Sequence, residues 1–488
     1  MRRPTVLAVV LATAFTAAAC GHKATLQSSA DALGAAGVKS IEIAGSGRWY
    51  QFGQAASPRT SWPQFDVTSY TATINYETPA ARVQMTRKQS ITPGRVRPTP
   101  TEQRPDQYVS GAAAWNVAPP ANSPPNTPAV PTSQPAAVAE RTVEIWATPQ
   151  GFLKAALANN ATTTPTDDGG ADVTFTAGGR TYKGRINPQD EVVRVQTVID
   201  DPVLGDAPVA FRYSDYKDFG GIKFPSIIAR EQGGYPVLEL TVSAVTLNAA
   251  ADITVPAEVS NAALPAITAT AERLADGVYY IKGGTHHSVA IDQGDHIVIV
   301  EAPQNEARSL AVIEKVKATI PKKPIRYVIN THHHFDHSGG LRTYVNEGAT
   351  VITHEMNKPY YEQAWKAPRT LNPDLLAKSS KTATFQTFNK SKLELKGRHP
   401  IEVHMIQSNG HNDGFGMIFL PVEGILIEGD AYTPLAANAP PPASPNPYSV
   451  NLYDNIQRLK LNVRQIAALH GPRLTTMADL RAAIQKKG

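Results

Sequence analysis

Apolar and polar residues alternate from about Val38 to Gln89, most clearly over 67–76 and 81–87. A period of two predicts half-buried antiparallel strands. Prolines then crowd the chain from Pro93 to Pro135, with Ala, Asn, Ser and Thr between them. Such a stretch is expected to be one long loop, partly extended or disordered, because proline cannot donate to a ladder. A strand-like run over 141–147 precedes a short helix over 149–158 that carries proline at its start. Strand patterns return over 172–177, 180–186, 192–200, 209–213, 224–231 and 237–247, separated by Gly, Pro, Asn and Asp turns.

Residues 38–248 therefore read as one mostly antiparallel β domain, and 249–271, with Pro256 and Pro265 among small residues, as a linker. Beyond it, from 272 to 488, the pattern changes. Strands over 278–282, 288–292 and 296–301 lead into a helix over 306–319 and a strand over 325–330, and a strand and helix alternation continues to a last helix over 477–486. The expected fold class is an α+β chain of two domains, the second a layered α/β unit.

The chain of 488 residues is long enough for two cores, and 42% hydrophobic against 18% charged residues fits a folded protein. A net charge of +5, with no Lys/Arg block, points away from nucleic acid as a partner. Arg2 and Arg3, an apolar run from Val6 to Phe15, and Ala17-Ala18-Ala19 before Cys20 read as an export signal, with an apolar run too short to span a bilayer. The Ala-Ala-Ala-Cys sequence resembles a bacterial lipobox. It implies that the signal within residues 1–20 is cut before Cys20 and that Cys20 is lipidated, hence a lipoprotein attached to the membrane only there and facing the periplasm; a simple secretory signal is the alternative. Cys20 is the only cysteine, so no intramolecular disulfide is available.

The chemistry concentrates in Thr331-His332-His333-His334-Phe335-Asp336-His337, directly after a strand. Strand ends in layered α/β proteins face the ligand crevice. Imidazoles and a carboxylate there offer the neutral nitrogen and anionic oxygen donors that zinc accepts. They are too many for one tetrahedral ion that keeps an open position.

The segment resembles the His-X-His-X-Asp-His signature of the metallo-β-lactamase superfamily, with His333 and Phe335 in the variable places. The resemblance extends from about Ala271 to Gly488 and implies an αββα sandwich holding two divalent ions, zinc first, with iron or manganese as alternatives. It implies that His332, His334 and His411 bind one ion, that Asp336, His337 and His470 bind the other, and that Asp430 bridges them. Two dications within about 4 Å of each other need anionic charge between them, which a shared carboxylate and a bridging water supply. By the same resemblance that water is the nucleophile, and Asp336 orients it and takes its proton. His286, Asn412 and Tyr432 adjoin ligands and are expected to support them by hydrogen bonds. An aspartate at the bridging position, followed by Thr433, resembles the thioesterases, lactonases and phosphodiesterases of the superfamily more than its zinc-cysteine β-lactamases. The expected function is hydrolysis of a small ester, thioester, lactone or phosphodiester, with a β-lactamase-like amide hydrolase as one alternative. The late strands of the first domain, 213–225 and 238–245, resemble the half-barrel of lipoprotein-carrier-type periplasmic proteins. That likeness implies a concave face for a lipid or envelope partner, and the other alternative is a binding protein whose metal domain is structural.

Overall fold

The computed structural model describes residues 22–120, 123, 126–263, 266–437, 439 and 442–486. The signal segment and Cys20 lie outside the described residues. Among the described residues no helix is long and apolar enough to cross a membrane.

The first domain is built on one antiparallel sheet of 14 strands. Its first long strand, Ser40–Tyr50, pairs with its last, Tyr235–Leu247, so both chain ends of the domain meet in mid-sheet. Burial follows the sequence alternation, but with a change of parity. Phe65 and Val67 are buried, and then Tyr70, Ala72 and Ile74. The switch falls at a bulge between Val67 and Ser69, where one extra residue restores the apolar side to the same face. Across the pair, Gly45 and Gly47 let the strand approach its neighbour: a Cβ at either position would lie within 2.4 Å of the carbonyl oxygen of Thr241 or Glu239. Helices Leu26–Ala32, Val138–Ala147 and Pro149–Ala158 cover the apolar face and share one core with it.

Two expectations fail here. The proline-rich stretch is not one loop: strands Glu102–Gln103, Asp106–Ser110, Ala113–Ala118 and Val130–Ser133 extend the sheet through it. Its prolines fall mostly between these short strands, and Pro131 sits on the edge strand, where a missing N–H is tolerated. Residues 141–147 form a helix rather than a strand. Glu140 and Glu144, four residues apart, share one helical face and both reach the buried Arg230, a tertiary pairing that overrides the local alternation.

The second domain is a sandwich of a seven-stranded and a six-stranded sheet. Ile297 and Ile299 on strand Ile297–Val300 pack under helix Glu306–Thr319, whereas Val298 and Val300 face the other sheet. Both faces are covered, which is why these strands read as continuous apolar runs. Helices Pro447–Arg458 and Met477–Ala483 cover the outside of the second sheet and complete the αββα layering.

The two domains meet along specific contacts. Arg369 donates to the carbonyls of Asp201, Pro202 and Val203, and Asp206 accepts from the backbone N–H of Thr370 at 2.9 Å. A second contact, through the loop after Tyr50, falls on the histidine-rich turn.

Candidate metal centre

Each predicted ligand sits on a turn that leaves a strand of one of the two central sheets. The turn after Ile325–Ile329 is pinned by Asn330, whose side-chain amide donates to the carbonyl of His332 at 2.6 Å and accepts from Thr353 and Tyr361. His411 follows an Asn409 side chain that accepts its backbone N–H. Asp430 leaves strand Ile425–Glu428, where the buried Glu428 carboxylate accepts the N–H groups of Ala431 and Tyr432. His470 leaves strand Gln465–Ala468 and forms a bridge with His286.

These turns converge. His332, His334, His411 and Asp430 bring one ligand atom each within 4.8 Å of one another, and so do His286, Asp336, His337 and His470. Asp430 lies between the groups and divides its oxygens. Its Oδ2 is 2.9 Å from His411 Nε2 and 3.7 Å from His332 Nε2. Its Oδ1 is 2.8 Å from His337 Nε2 and 3.0 Å from His470 Nε2. All seven predicted ligands are thus brought together.

The donor set fits two cations. His332 and His411 approach nitrogen to nitrogen at 3.3 Å, and His337 and His470 at 3.0 Å. Two imidazoles on one tetrahedral zinc stand about 3.3 Å apart, given Zn–N bonds of about 2.0–2.1 Å. Buried His334 Nδ1 has no hydrogen-bond partner among the described residues, an expensive state unless a cation occupies the space it faces.

Tautomers are fixed from outside. The Thr331 hydroxyl donates to Glu301 and so accepts from His332 Nδ1 at 3.0 Å, leaving His332 Nε2 as a lone pair. His337 Nδ1 donates to Glu301 Oε2 at 2.9 Å. His334 uses Nε2 to donate to the carbonyl of Ala55 at 2.9 Å, which frees Nδ1 for the centre. Burial holds His332 and His334 far below the usual imidazole pKa, so both are neutral donors. His337 goes the other way: burial lowers it, but Asp430, Asp336 and Glu301 together outweigh burial and raise it well above the ordinary value.

Asp336 is oriented on both oxygens. Gln54 Nε2 donates to Oδ1 at 2.8 Å, and His286 Nε2 approaches Oδ2 at 3.1 Å. His286 Nδ1 faces the Thr285 hydroxyl at 2.8 Å, which leaves the proton on Nε2 and makes His286 a hydrogen-bond donor to Asp336. Asn412 donates to His333 Nδ1 at 3.1 Å, and so supports the turn rather than a ligand. Tyr432 does not take the expected role. Its backbone N–H goes to Glu428 and its ring packs in the apolar cluster with Leu452 and Ile456. His287 is structural, hydrogen-bonded to the carbonyl of Gly471.

Two contributors escaped sequence reasoning. Glu301, fully buried, accepts from Asn330, Thr331 and His337 and holds three parts of the centre at once. The available signal was a carboxylate ending an all-apolar strand. The first domain is the other contributor. Its loop places Gly53 against Phe335, Gln54 on Asp336, Ala55 on His334, and Ala56 on the Asp413 N–H. Ser57 and Arg95 both bind the Asp413 carboxylate. Phe335, a variable place in the signature, stacks edge-on with Phe52 at 5.2 Å.

Residues 281–434 match the family model described as the metallo-beta-lactamase superfamily, and the C-terminal domain is of that type. Solved structures similar to the chain include a metallo-beta-lactamase from Pseudomonas aeruginosa in a mono-zinc form, at 20% identity and TM-score 0.35, covering 45% of this chain and 94% of that one. Metallo-beta-lactamases from Pontibacter korlensis and Hirschia baltica match at 17% and 19% identity, each over 45% of this chain and 98% and 99% of theirs, with TM-scores of 0.34 and 0.33. No curated protein matches the chain.

Proposed function

We propose that the chain is a hydrolase with a binuclear centre, zinc in both positions, acting on a small ester, thioester, lactone or phosphodiester. The observation that carries this reading is the division of Asp430 between two histidine groups, each facing a different oxygen. His332, His334 and His411 would hold one ion, Asp336, His337 and His470 the other, with Asp430 shared. Bound there, the pair supplies Lewis-acid polarisation of the scissile group and a water nucleophile at neutral pH. The chain's own part is orientation. Asp336 stays ionised because, although burial raises its pKa, His337 and the His286 hydrogen bond outweigh burial. Gln54 and His286 hold the carboxylate in place, where it would orient the attacking water and take its proton. Aspartate rather than cysteine at the bridge favours these substrates over a β-lactam amide.

We also read residues 1–20 as a lipoprotein signal that places the enzyme in the periplasm, tethered through Cys20. A lipid-carrier role for the first domain has less support, since helices fill its apolar face and leave a cavity of ≈ 230 Å³ beside the Arg230 and Glu144 pair. The test is metal analysis of purified protein together with turnover of an ester, thioester, lactone, phosphodiester and β-lactam panel, with and without chelator. Two ions per chain, chelator-sensitive turnover, and loss of both in Asp430→Asn are expected. A metal-free, inert protein that co-purifies with lipid would overturn the proposal.

A further inference from the structure

The first domain does more than brace the centre. Between its sheet and the metal turns lies a cavity of ≈ 270 Å³, whose floor includes His334 and His411. The strap after strand Ala80–Gln89 forms one wall, pressed onto the second domain so closely that a Cβ on Gly410 would sit 1.6 Å from the carbonyl oxygen of Val96. Arg95 is spent on this docking, in a two-pronged ion pair with Asp413 at 2.8 and 2.9 Å. Arg97 is not. Its Nε donates to the carbonyl of Gly410 at 3.2 Å, while neither terminal nitrogen has a hydrogen-bond partner among the described residues. Opposite stands Tyr448, whose ring meets His411 edge-on at 5.3 Å and whose hydroxyl has no hydrogen-bond partner among the described residues.

No carboxylate lines this cavity; its polar walls are amides and hydroxyls, among them Gln51, Gln89 and Thr99. Burial lowers the Arg97 pKa, and Tyr448 and Asp413 offset this only in part, since the Asp413 carboxylate is already engaged by Arg95. The two free nitrogens form a planar fork that matches the two oxygens of a carboxylate or a phosphate. We propose that Arg97, with the Tyr448 hydroxyl, is an anion subsite that selects substrates carrying a carboxylate or phosphate beside the scissile bond. Both residues lie outside the segment matched by the family model, so the selectivity is built by the added domain and by a late helix.

This subsite rests on the hydrolase reading for its substrate but not for its charge, and the experiment separates the two. On the zinc-loaded full chain, kcat/KM is measured for 4-nitrophenyl hydrogen succinate and for its methyl ester as the uncharged control. In parallel, succinate and inorganic phosphate are titrated into the metal-free full chain by calorimetry. Arg97→Gln is expected to cut the anionic-to-methyl-ester preference about tenfold or more, the size of a lost charge-assisted hydrogen bond, and to weaken anion binding equally. Arg97→Lys restores part of the preference, and Tyr448→Phe lowers it about threefold. If no variant turns over any ester but Arg97→Gln still loses anion binding, the hydrolase reading fails and the subsite stands. A preference ratio and an anion affinity both unchanged in Arg97→Gln would overturn the subsite. So would equal loss on both esters with wild-type anion binding, which would make Arg97 scaffold. Succinate binding without phosphate binding, or the reverse, identifies which anion the site takes.

Discussion

Replacing Glu301 by glutamine removes one negative charge and one acceptor oxygen from a fully buried carboxylate. Oε1 accepts from Asn330 Nδ2 at 3.1 Å and from the Thr331 N–H at 3.3 Å, while Oε2 accepts from His337 Nδ1 at 2.9 Å and from the Thr331 hydroxyl. A glutamine amide cannot serve both sides. With its oxygen toward Asn330, its NH2 meets the His337 Nδ1–H, and His337 must move its proton to Nε2, the atom that faces Asp430 and the second cation. Turned the other way, the NH2 meets two backbone and side-chain N–H groups. Losing the outer partner of a ligating histidine costs ~10–100-fold in metal affinity, or ~1.4–2.8 kcal/mol. The assay is a competitive zinc titration against a chromophoric chelator, which resolves two binding steps, with thermal unfolding of the metal-free protein as the control. The step assigned to Asp336, His337 and His470 should weaken by that factor, and the step assigned to His332, His334 and His411 by less. Two unchanged steps in a folded Glu301→Gln protein would refute the tautomer argument.

Gln54→Ala removes the only hydrogen bond to Asp336 from the described residues of the first domain and should lower kcat about tenfold, for a charge-assisted bond of ~1.5 kcal/mol, with both metals retained. Equal kcat in a metal-replete variant would show that Asp336 needs no help from the first domain. At the other domain contact, burial pushes the Asp201 carboxyl up to about 6 although it accepts two backbone N–H groups. A raised folded pKa gives a contribution that is present below the usual carboxylate range and lost as pH rises through about 6. Asp201→Asn keeps the acceptor without the charge. It should be nearly neutral at low pH and stabilising by ~1–3 kcal/mol at slightly alkaline pH, as read by denaturant unfolding of the metal-free protein. A pH-independent difference would contradict the assignment.

Why some elements were legible and others were not follows from the range of the forces that form them. The strands over 64–75 and 80–89 could be placed because one face is buried and the other wet, which stamps a period of two on the chain. Helix Pro149–Ala158 could be placed because proline and the Thr148 cap act within one turn. Helix Val138–Ala147 was misread because its local alternation is also strand-like, and only Arg230, far along the chain, decides between the two. The strands within the proline-rich stretch were missed because two to six residues are too few to show a period against their proline content.

For the centre, the seven candidate residues were named through the signature that the histidine-rich segment resembles and the residues expected downstream of it, and the structure brings them together. Their supports could not be named that way. Gln54, Ala55, Arg95 and Arg97 look like ordinary loop residues until the first domain folds back on the second, bringing Gln54 to Asp336 across 282 positions of sequence. The amino-acid sequence determined which side chains can hold cations and which faces must be buried, because both are properties of single residues and short periods. Only the tertiary structure decided which nitrogen of each imidazole is free and what charge stands above the cavity floor. Those depend on partners that the backbone of another domain, not the local sequence, brings within hydrogen-bond reach.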